Sequence, residues 1–466
     1  MKKSLQSLIL LLAALLVSIN ALAITDGVNY EPVNGIKIVN QWIQDRAHTP
    51  QVWTSKPYCN TSARTAVISD GYIYIARSNA NTVIQGTDTL TQSVIYKVNA
   101  TTGNLVKELP LTLDGEIYGG AMLSCNTVGV DNFGHLYMAP YTGEMAYAQR
   151  VYMVNKVTGK LTLMGELEKG DCMARCDYID VMGDITRQQA ECNIMAAGAN
   201  SKYVYRWHAD KGGDWEVGFN DDPYLEIKKF YPDNVAHWGY SPVTKMLLGE
   251  GVQNRYSGEK FYVDGFYTAP ILYNVTGNML DNFKNVNPDC LPMDLGANGV
   301  CEFTLGGRNF IAYVAAQYIG VDATTNINKA CQVYICELGE GKSFTGMQRY
   351  WMVPDELGTI SDGGTRGQSI NVEYGTDAMG NEEVTLLIFK CYNGMAVYKL
   401  SVMDEGHGDV NGDSSVNISD VTALIDYLLG GNPQGLNVDN ADTNRDGSVN
   451  ISDVTTLIDY LLSGQW

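Results

Sequence analysis

The stretch Tyr96-Lys97-Val98-Asn99-Ala100-Thr101-Thr102-Gly103 recurs as Tyr152-Met153-Val154-Asn155-Lys156-Val157-Thr158-Gly159. In both copies an apolar run leads to an asparagine, and a short turn closes on a glycine. Two strand-like runs precede each copy and one follows it, so each unit contains four strands joined by turns that contain glycine. A four-stranded unit that repeats along the chain predicts a repeat architecture.

The β pattern extends from Ile36 to Val402 with almost no helical periodicity. Weaker copies of the unit begin near Asp177, Ala236, Ala297 and Gln368, with third strands predicted at 204–207, 270–273, 332–335 and 395–398. One antiparallel four-stranded sheet cannot bury both faces alone, whereas a ring of sheets can. The sequence therefore predicts a mainly β, six-bladed propeller, with Ile36–Trp42 closing the ring. Seven blades or packed β-sandwiches are the alternatives.

The turn pattern Tyr-x-x-Asn-x-x-Thr-Gly resembles that of β-propeller repeat and quinoprotein-like families. This resemblance covers the body of the chain and implies a fold, but it does not imply an activity.

The amino terminus has the organisation of a signal peptide. Lys2 and Lys3 precede the apolar run Leu8–Val17, and Ala21-Leu22-Ala23 supplies small residues at a cleavage position. The run is short for a membrane span, so an uncleaved anchor is the less favoured alternative. We expect residues 1–23 to be removed and the mature chain to be secreted, without a membrane span.

Charge and cysteine content restrict the environment and the partners. The formal net charge is −20, which disfavours nucleic acid and anionic membranes as partners. From Asp404 to Trp466 there are eleven acidic residues and one basic residue, Arg445. Export would place the ten cysteines in an oxidising compartment, where they are expected as buried thiols or scattered disulfides, and their connectivity stays open.

A twelve-residue segment is duplicated near the carboxyl terminus with a period of 33 residues. It spans residues 409–420 and 442–453, with oxygen side chains at positions 1, 3, 5, 9 and 12 and a backbone carbonyl available at position 7. This is the ligand order of an EF-hand calcium loop. It predicts two Ca²⁺ ions, held by Asp409, Asn411, Asp413, Ser415, Asn417 and Asp420 and by Asp442, Asn444, Asp446, Ser448, Asn450 and Asp453.

Each loop leads into an amphipathic helix that starts near position 10, whereas Met403–Gly408 and Gly435–Ala441 before the loops are predicted to be non-helical. A duplicated loop followed by a helix resembles the type I dockerin, over Gly408–Leu462. The resemblance implies calcium binding and a cohesin-like partner or cell-surface scaffold. Ser414 replaces a loop glycine found at Gly447, which predicts a weaker first site.

The partner surface is predicted at the residues that begin the two helices. They are Ile418 and Ser419 in the first copy and Ile451 and Ser452 in the second. Dockerins that bind cohesins usually have hydroxyl-rich pairs at these positions, so the identity of the partner stays open.

The body contains no recognisable catalytic motif. Its histidines are scattered, Ser361–Thr365 reads as a β-turn, and no carboxylate pair can be nominated as catalytic. Aromatic residues are more informative, because exposed rings stack on sugars. The runs Trp207–Asp210 and His237–Tyr240 are the candidates for such stacking, with buried packing as the alternative.

These observations predict a signal peptide (1–23), a β-propeller body (24–402), a linker (403–408) and a dockerin-like calcium module (409–466). The body is expected to bind a glycan or a protein and to be attached to an extracellular assembly, in the context of polysaccharide breakdown. The alternative is a glycan-cleaving enzyme, a hydrolase or a lyase, delivered by the same module. Whether the body is an enzyme stays open.

Overall fold

A computed structural model describes residues 24–85, 87–120, 125–141, 148–169, 174–217, 224–226, 237–249, 255–292, 299–315, 331–358, 368–377, 380–403, 406–413, 415–430, 436–444 and 446–463. The predicted signal peptide, the turn Ser361–Thr365, Ser414 and Arg445 lie outside these residues, as does part of the linker. By its contacts the chain divides into two units. The first comprises residues 1–29, 39–373 and 385–399, and the second comprises 30–38, 374–384 and 400–466.

The body is a six-bladed β-propeller, as the repeated unit predicts. The first three blades contain consecutive strands. Blade 1 is β2 (Ala63–Ser69), β3 (Tyr72–Gln85), β4 (Asp88–Asn99) and β5 (Leu105–Pro110). Blade 2 is β8 (Cys125–Val130), β9 (Leu136–Pro140), β10 (Ala148–Val154) and β11 (Lys160–Glu168). Blade 3 is β12 (Asp180–Gly183), β13 (Cys192–Ala197) and β14 (Tyr203–Ala209), and both β15 (Glu216–Val217) and β16 (Tyr224–Glu226) pair with β14.

The last three blades follow the same order, and the chain's first strand completes the ring. Blade 4 is β17 (Val243–Leu247), β18 (Lys260–Asp264), β19 (Ile271–Asn274) and β20 (Met279–Asp281). Blade 5 is β21 (Val300–Leu305), β22 (Arg308–Val314), β23 (Val333–Glu337) and β24 (Gln348–Val353). Blade 6 is β25 (Gln368–Thr376), β26 (Glu382–Lys390) and β27 (Gly394–Val402), with β1 (Ile36–Asp45) paired to β27. The predicted closing strand and all four predicted third strands are confirmed.

Blade 2 has an extension that the repeat did not predict. The short strands β6 (Thr112–Leu113) and β7 (Glu116–Ile117) form a hairpin, and β6 pairs in parallel with β11. A short helix, α1 (Pro50–Thr54), precedes blade 1. Three-residue 3₁₀ turns lie at Phe283–Asn285, Pro288–Cys290 and Glu340–Lys342.

Hydrophobic clusters lie between neighbouring blades, which is how a ring buries both faces of each sheet. One cluster joins Tyr74 of blade 1 to Met138 of blade 2, and the next joins Val151 of blade 2 to Ile194 of blade 3. The blade-2 strand β8 contains Gly129, where an added Cβ would lie 2.3 Å from the ring of Tyr137. Glycine is therefore required at this point of close packing.

The second unit contains three helices of the C-terminal region: α2 (Ile418–Leu428), α3 (Val438–Ala441) and α4 (Ile451–Ser463). Helices α2 and α4 pack on each other through a core of Val410, Val421, Leu424, Ala441, Val454 and Leu457. The prediction that 435–441 is non-helical is wrong, because its last four residues form α3. This turn is too short to show helical periodicity in the sequence.

Candidate functional site

The two duplicated loops end where the long helices begin, at loop position 10 as predicted. The first helix is fixed by a capping box. The Asn417 side chain accepts a hydrogen bond from the backbone of Ser419, and Asp420 accepts one from the backbone of Asn417. Loop and helix are therefore one structural unit, so a ligand that orders the loop also orders the start of the helix.

The carboxylates at loop position 12 are the most buried acidic groups of this region. Asp420 and Asp453 are both fully buried. Asp420 accepts hydrogen bonds from the backbone N–H of Asn411 at 3.0 Å and of Asn417 at 2.8 Å. Asp453 accepts the equivalent bonds from the second loop at 3.1 and 2.7 Å. The two copies thus have the same geometry, in which each loop folds around its last carboxylate.

The remaining predicted ligands also bond within their own loops. The backbone N–H of Asp413 donates to Oδ1 of Asp409 at 3.0 Å, and that of Gly447 donates to Oδ2 of Asp442 at 2.9 Å. The other oxygen of Asp442, Oδ1, is buried and accepts no hydrogen bond from the residues that the structure describes. An ionised acceptor without a donor is costly to bury, so this atom fits a cation ligand.

The predicted ligands at loop position 9 have an additional structural role. Asn417 and Asn450, at position 9, use their side-chain oxygens to cap α2 and α4. Their side-chain NH₂ groups donate to the carbonyls of Ser415 and Ser448, at 3.2 and 3.0 Å. A carbonyl oxygen has a second lone pair, so the position-7 residues can still ligate calcium. Position 9 often ligates through water, which agrees with its use as a cap.

The turn at loop position 6 is left-handed in the second copy, a conformation that favours glycine. Gly447 has φ +85°, in the left-handed region, and an added Cβ would meet nothing within 4 Å. A side chain here would therefore cause backbone strain but no clash.

The two long helices expose matching apolar stripes. Ile418 and Ile451, predicted as partner residues, are 67% and 68% exposed. Residues seven and eleven positions further on lie on the same helix face, because eleven residues make about three turns. These residues are also exposed. They are Ile425 in α2 and Leu429 directly after it, and Ile458 and Leu462 in α4.

The stripes add residues that the sequence reasoning missed. Leu429 and Leu462 are 81% and 82% exposed, more than the predicted isoleucines. The sequence signal for these residues is their spacing, because positions seven and eleven after Ile418 and Ile451 lie on the same helix face. The two predicted serines differ between the copies, because Ser419 is exposed whereas Ser452 is partly buried and bonds Asn444 and Asn450.

The propeller axis holds a narrow channel lined by the first strand of every blade. Its cavity has a volume of about 120 Å³, enough for several water molecules. Side chains bond the inner strands to one another: Asn371 donates to the carbonyl of Ala66 at 3.0 Å, and Thr65 donates to that of Asn126 at 2.8 Å. These bonds therefore tie the inner strands of neighbouring blades to one another.

One ion pair lies in the channel. Nζ of Lys245 is 3.1 Å from Oδ1 of Asp180, and the other Asp180 oxygen accepts the backbone N–H of Met246. The nearby carboxylate raises the pKa of Lys245, although protein atoms surround the amine. Its side chain is still 42% exposed, because it projects into the channel. Asp180 is the one carboxylate among the described residues that line the cavity.

Aromatic rings form a group, here called the aromatic shelf, on the loops before β17 and between β18 and β19. Its members are His237, Tyr240, Phe266 and Tyr267, with successive ring centroids 5.1–6.0 Å apart. Gly239 permits this approach, because an added Cβ would lie 2.8 Å from the ring of Tyr267. Tyr267 is 38% exposed, whereas Trp238 is fully buried.

The other predicted aromatic candidate is a packing residue. Trp207 is fully buried in β14, and its indole N–H donates to the carbonyl of Glu168. His208, beside it, bonds Asn193 and Asp210. The hypothesis that Trp207–Asp210 offers an open stacking surface is therefore not supported, because this strand faces a neighbouring blade.

Two groups of acidic and histidine side chains lie in the propeller. In one, Nδ1 of His135 is 2.9 Å from Asp131 and 3.4 Å from Asp184. Both carboxylates also accept backbone N–H groups at 2.7–3.0 Å, so they already have partners and join the turns of blades 2 and 3. The second group, at the surface, is Glu191, His208 and Asp210.

Fold and site together define a β-propeller protein with a C-terminal duplicated loop-and-helix region. Residues 407–462 match the family model of the dockerin type I domain. Type I dockerin domains bind calcium and bind cohesins on scaffold proteins, so the match supports a component of a cellulosome-type assembly. No curated protein matches the chain in sequence.

Solved structures resemble the chain at low sequence identity. A DUF4623 family protein from Bacteroides eggerthii has 11% identity and a TM-score of 0.54, and the alignment covers 80% of this chain and 77% of that one. AofleA from Arthrobotrys oligospora has 9% identity and a TM-score of 0.39, with coverages of 82% and 97%. An α-L-arabinanase from Penicillium chrysogenum, solved with arabinobiose, has 10% identity and a TM-score of 0.38, with coverages of 73% and 94%. The first similarity concerns the fold alone.

Dockerin proteins are typically extracellular. Within the described part of the chain, no helix has both the length and the apolar character needed to cross a membrane.

Proposed function

We propose that this protein is secreted, binds two Ca²⁺ ions in its C-terminal region, and uses that region to attach its propeller to an extracellular assembly. The single observation that carries the proposal is the pair of matching loops. Backbone N–H groups surround the buried carboxylates of Asp420 and Asp453, and Oδ1 of Asp442 accepts no hydrogen bond from the described residues. The proposed ligands of the first ion are Asp409, Asn411, Asp413, Ser415, Asn417 and Asp420. Those of the second are Asp442, Asn444, Asp446, Ser448, Asn450 and Asp453.

The two charges of a calcium ion would offset most of the charge of the three carboxylates in each loop and hold the loop against the start of its helix. Without a cation these carboxylates repel one another in a region of about sixty residues, which has too small a core to offset much repulsion. Ion binding and folding are therefore expected to be coupled. Chelation should broaden or lower the unfolding transition of residues 409–463, and calcium should restore it.

The partner is proposed to be a cohesin-like protein that contacts the exposed helix stripes. Because the two copies match in sequence and in the exposure of their apolar stripes, either helix can present the same apolar surface. The experiment replaces Ile418 and Ser419 by charged residues in one variant, Ile451 and Ser452 in a second, and all four in a third. Binding to a cohesin panel should survive each single-copy change and be lost when both copies change.

A large loss from one single-copy variant would contradict the two-way mode. Unchanged binding in the four-residue variant would contradict the helix surface itself. Calcium affinity, measured in parallel, separates a loss of surface from a loss of the fold.

The propeller is proposed to bind a glycan through the aromatic shelf. Exposed aromatic faces stack on sugar rings, and Tyr267 is the shelf residue whose surface is most open. Screening the full chain on a glycan array identifies the ligand class. Tyr267→Ala should then weaken binding, whereas Tyr374→Ala, which removes another exposed tyrosine, should not.

A glycan-cleaving activity is the second candidate for the body. Glycosidases use two carboxylates about 5–10 Å apart. The described channel lining has Asp180 alone, paired to Lys245, so the observations favour binding over hydrolysis. A digestion screen with polysaccharides tests this directly, since released oligosaccharides would establish the enzyme and overturn the preference for binding.

A further inference from the structure

Two cysteines of different segments meet in the core that joins blades 4 and 5. Cys290 ends the 3₁₀ turn before β21, and Cys336 lies in β23. Both are fully buried and belong to one hydrophobic cluster, together with Phe283 and Tyr313.

The surrounding contacts bring the two side chains together. The Tyr313 hydroxyl donates to the carbonyl of Cys290 and lies 3.4 Å from Sγ of Cys336. Sγ of Cys290 is 3.5 Å from the carbonyl of Met347, two residues before Arg349, which pairs with Cys336 across the β23–β24 ladder. Both cysteines therefore lie beside the Tyr313 hydroxyl and beside the β23–β24 strand pair.

Hydrogen bonding to Cys336 lowers the pKa of the Cys290 thiol, and the nearby Arg349 acts in the same direction. Burial instead raises the pKa of Cys336 well above its usual range.

We propose that Cys290 and Cys336 form a disulfide bond when the protein folds in an oxidising compartment. The oxidant is a disulfide of a thiol oxidoreductase. The Cys290 thiolate attacks one sulfur of that disulfide and releases the other as a thiolate. The Cys336 thiolate then displaces the mixed disulfide, so that the S–S bond forms between Cys290 and Cys336. The two electrons and two protons lost by the pair are recovered in the two thiols of the oxidoreductase.

The burial of the two sulfurs determines when the exchange reaction can occur. Because neither sulfur is exposed in the folded protein, the exchange must occur before the core of blades 4 and 5 closes. The same burial then protects the bond from reductants. The bond would join the segment before the first strand of blade 5 to that blade's third strand, and it would restrict the unfolded chain between residues 290 and 336.

Two other buried cysteines provide internal controls. Sγ of Cys192 lies 3.9 Å from the carbonyl of Asn193, and Sγ of Cys301 lies 3.7 Å from that of Glu302. No second sulfur contacts either of them among the residues with described positions. They are expected to stay as thiols under the same conditions.

The test uses the full chain secreted into the bacterial periplasm, which is kept oxidising. Because the host supplies the oxidant, the outcome does not depend on the natural export or on the dockerin function of the chain. The protein is denatured with an alkylating reagent and without reductant, then digested and analysed by mass spectrometry. We expect a linked peptide pair containing Cys290 and Cys336, with Cys192 and Cys301 alkylated. Recovery of Cys290 and Cys336 as alkylated thiols, or linked to other cysteines, would overturn the proposal.

Single variants give a second, independent measurement. Cys290→Ser and Cys336→Ser should each leave one extra alkylatable thiol and lower the Tm of the propeller by the same amount. The double variant should lower the Tm by clearly less than the sum of the two single losses, because both single variants already lose the same bond. Fully additive losses would show that the two side chains act separately and would contradict the bond.

Discussion

Replacing Asp442 by asparagine should change the stability of the C-terminal region in opposite directions with and without calcium. Without calcium, Oδ1 of Asp442 is a buried acceptor to which none of the described residues donates a hydrogen bond. Such a group costs about 1–3 kcal/mol, and the neutral amide of asparagine recovers part of this. We therefore expect Asp442→Asn to stabilise the calcium-free fold by about 1 kcal/mol.

With calcium the same substitution removes a charged ligand. Losing even a supporting residue around a metal costs about ten- to a hundredfold in affinity, so a direct ligand should cost at least as much. At a free calcium concentration well above the dissociation constant, a tenfold loss lowers the stability by about 1.4 kcal/mol. The sign of the effect therefore depends on whether calcium is present.

Amide hydrogen exchange in the full chain measures the local stability of α4 separately from the stability of the propeller. In chelator, Asp442→Asn should slow exchange of residues 451–463 by about fivefold. In calcium the gain of about 1 kcal/mol offsets part of the loss of at least about 1.4 kcal/mol, so exchange should be faster by at least about twofold. Asp459→Asn is the matched control, because it removes an exposed carboxylate from the same helix outside the loop. A change of the same direction under both conditions would refute the assignment of Asp442 Oδ1 as a ligand atom.

Three further outcomes are expected. Gly129→Ala should lower the stability of the propeller by about 1–3 kcal/mol in a denaturant titration, because the new Cβ meets a buried ring. The control is Gly375→Ala, where an added Cβ meets nothing within 4 Å, and it should change the stability by no more than about 0.5 kcal/mol. The hydrogen bond to Asp45 raises the pKa of His48. Protonated His48 therefore stabilises the fold fully below about pH 6.5, and this stabilisation is lost as the pH rises through the raised pKa. His48→Gln should therefore reduce the fall in Tm between about pH 6 and 8. Ser414→Gly should tighten the first calcium site by about five- to thirtyfold in a calcium titration, and no change would show that the loop tolerates serine.

Local patterns were sufficient for the blade order and for the two duplicated loops with their helices. Strand alternation and turn glycines recur within each blade, so the start of β12 near Asp177 and of β21 near Ala297 could be predicted. Ligand spacing within one loop is equally local, which is why positions 409–420 and 442–453 could be aligned without a structure.

Features that depend on neighbouring blades could not be predicted. Trp207 looked like a stacking residue, but its exposure is decided by the blade beside it. His135 meets Asp184 only because two turns of adjacent blades touch. The approach of Cys290 to Cys336 likewise depends on how β23 packs against the segment before blade 5, and no spacing rule covers that contact.

The central claim is that the two C-terminal loops hold calcium and thereby order the partner-binding helices. Calorimetric titration of the full chain with calcium tests it most directly, with a variant carrying Asp420→Asn and Asp453→Asn as the comparison. We expect two ions per chain in the unmodified protein and loss of both in the variant. A protein that binds no calcium, or a variant that still binds two ions, would contradict it.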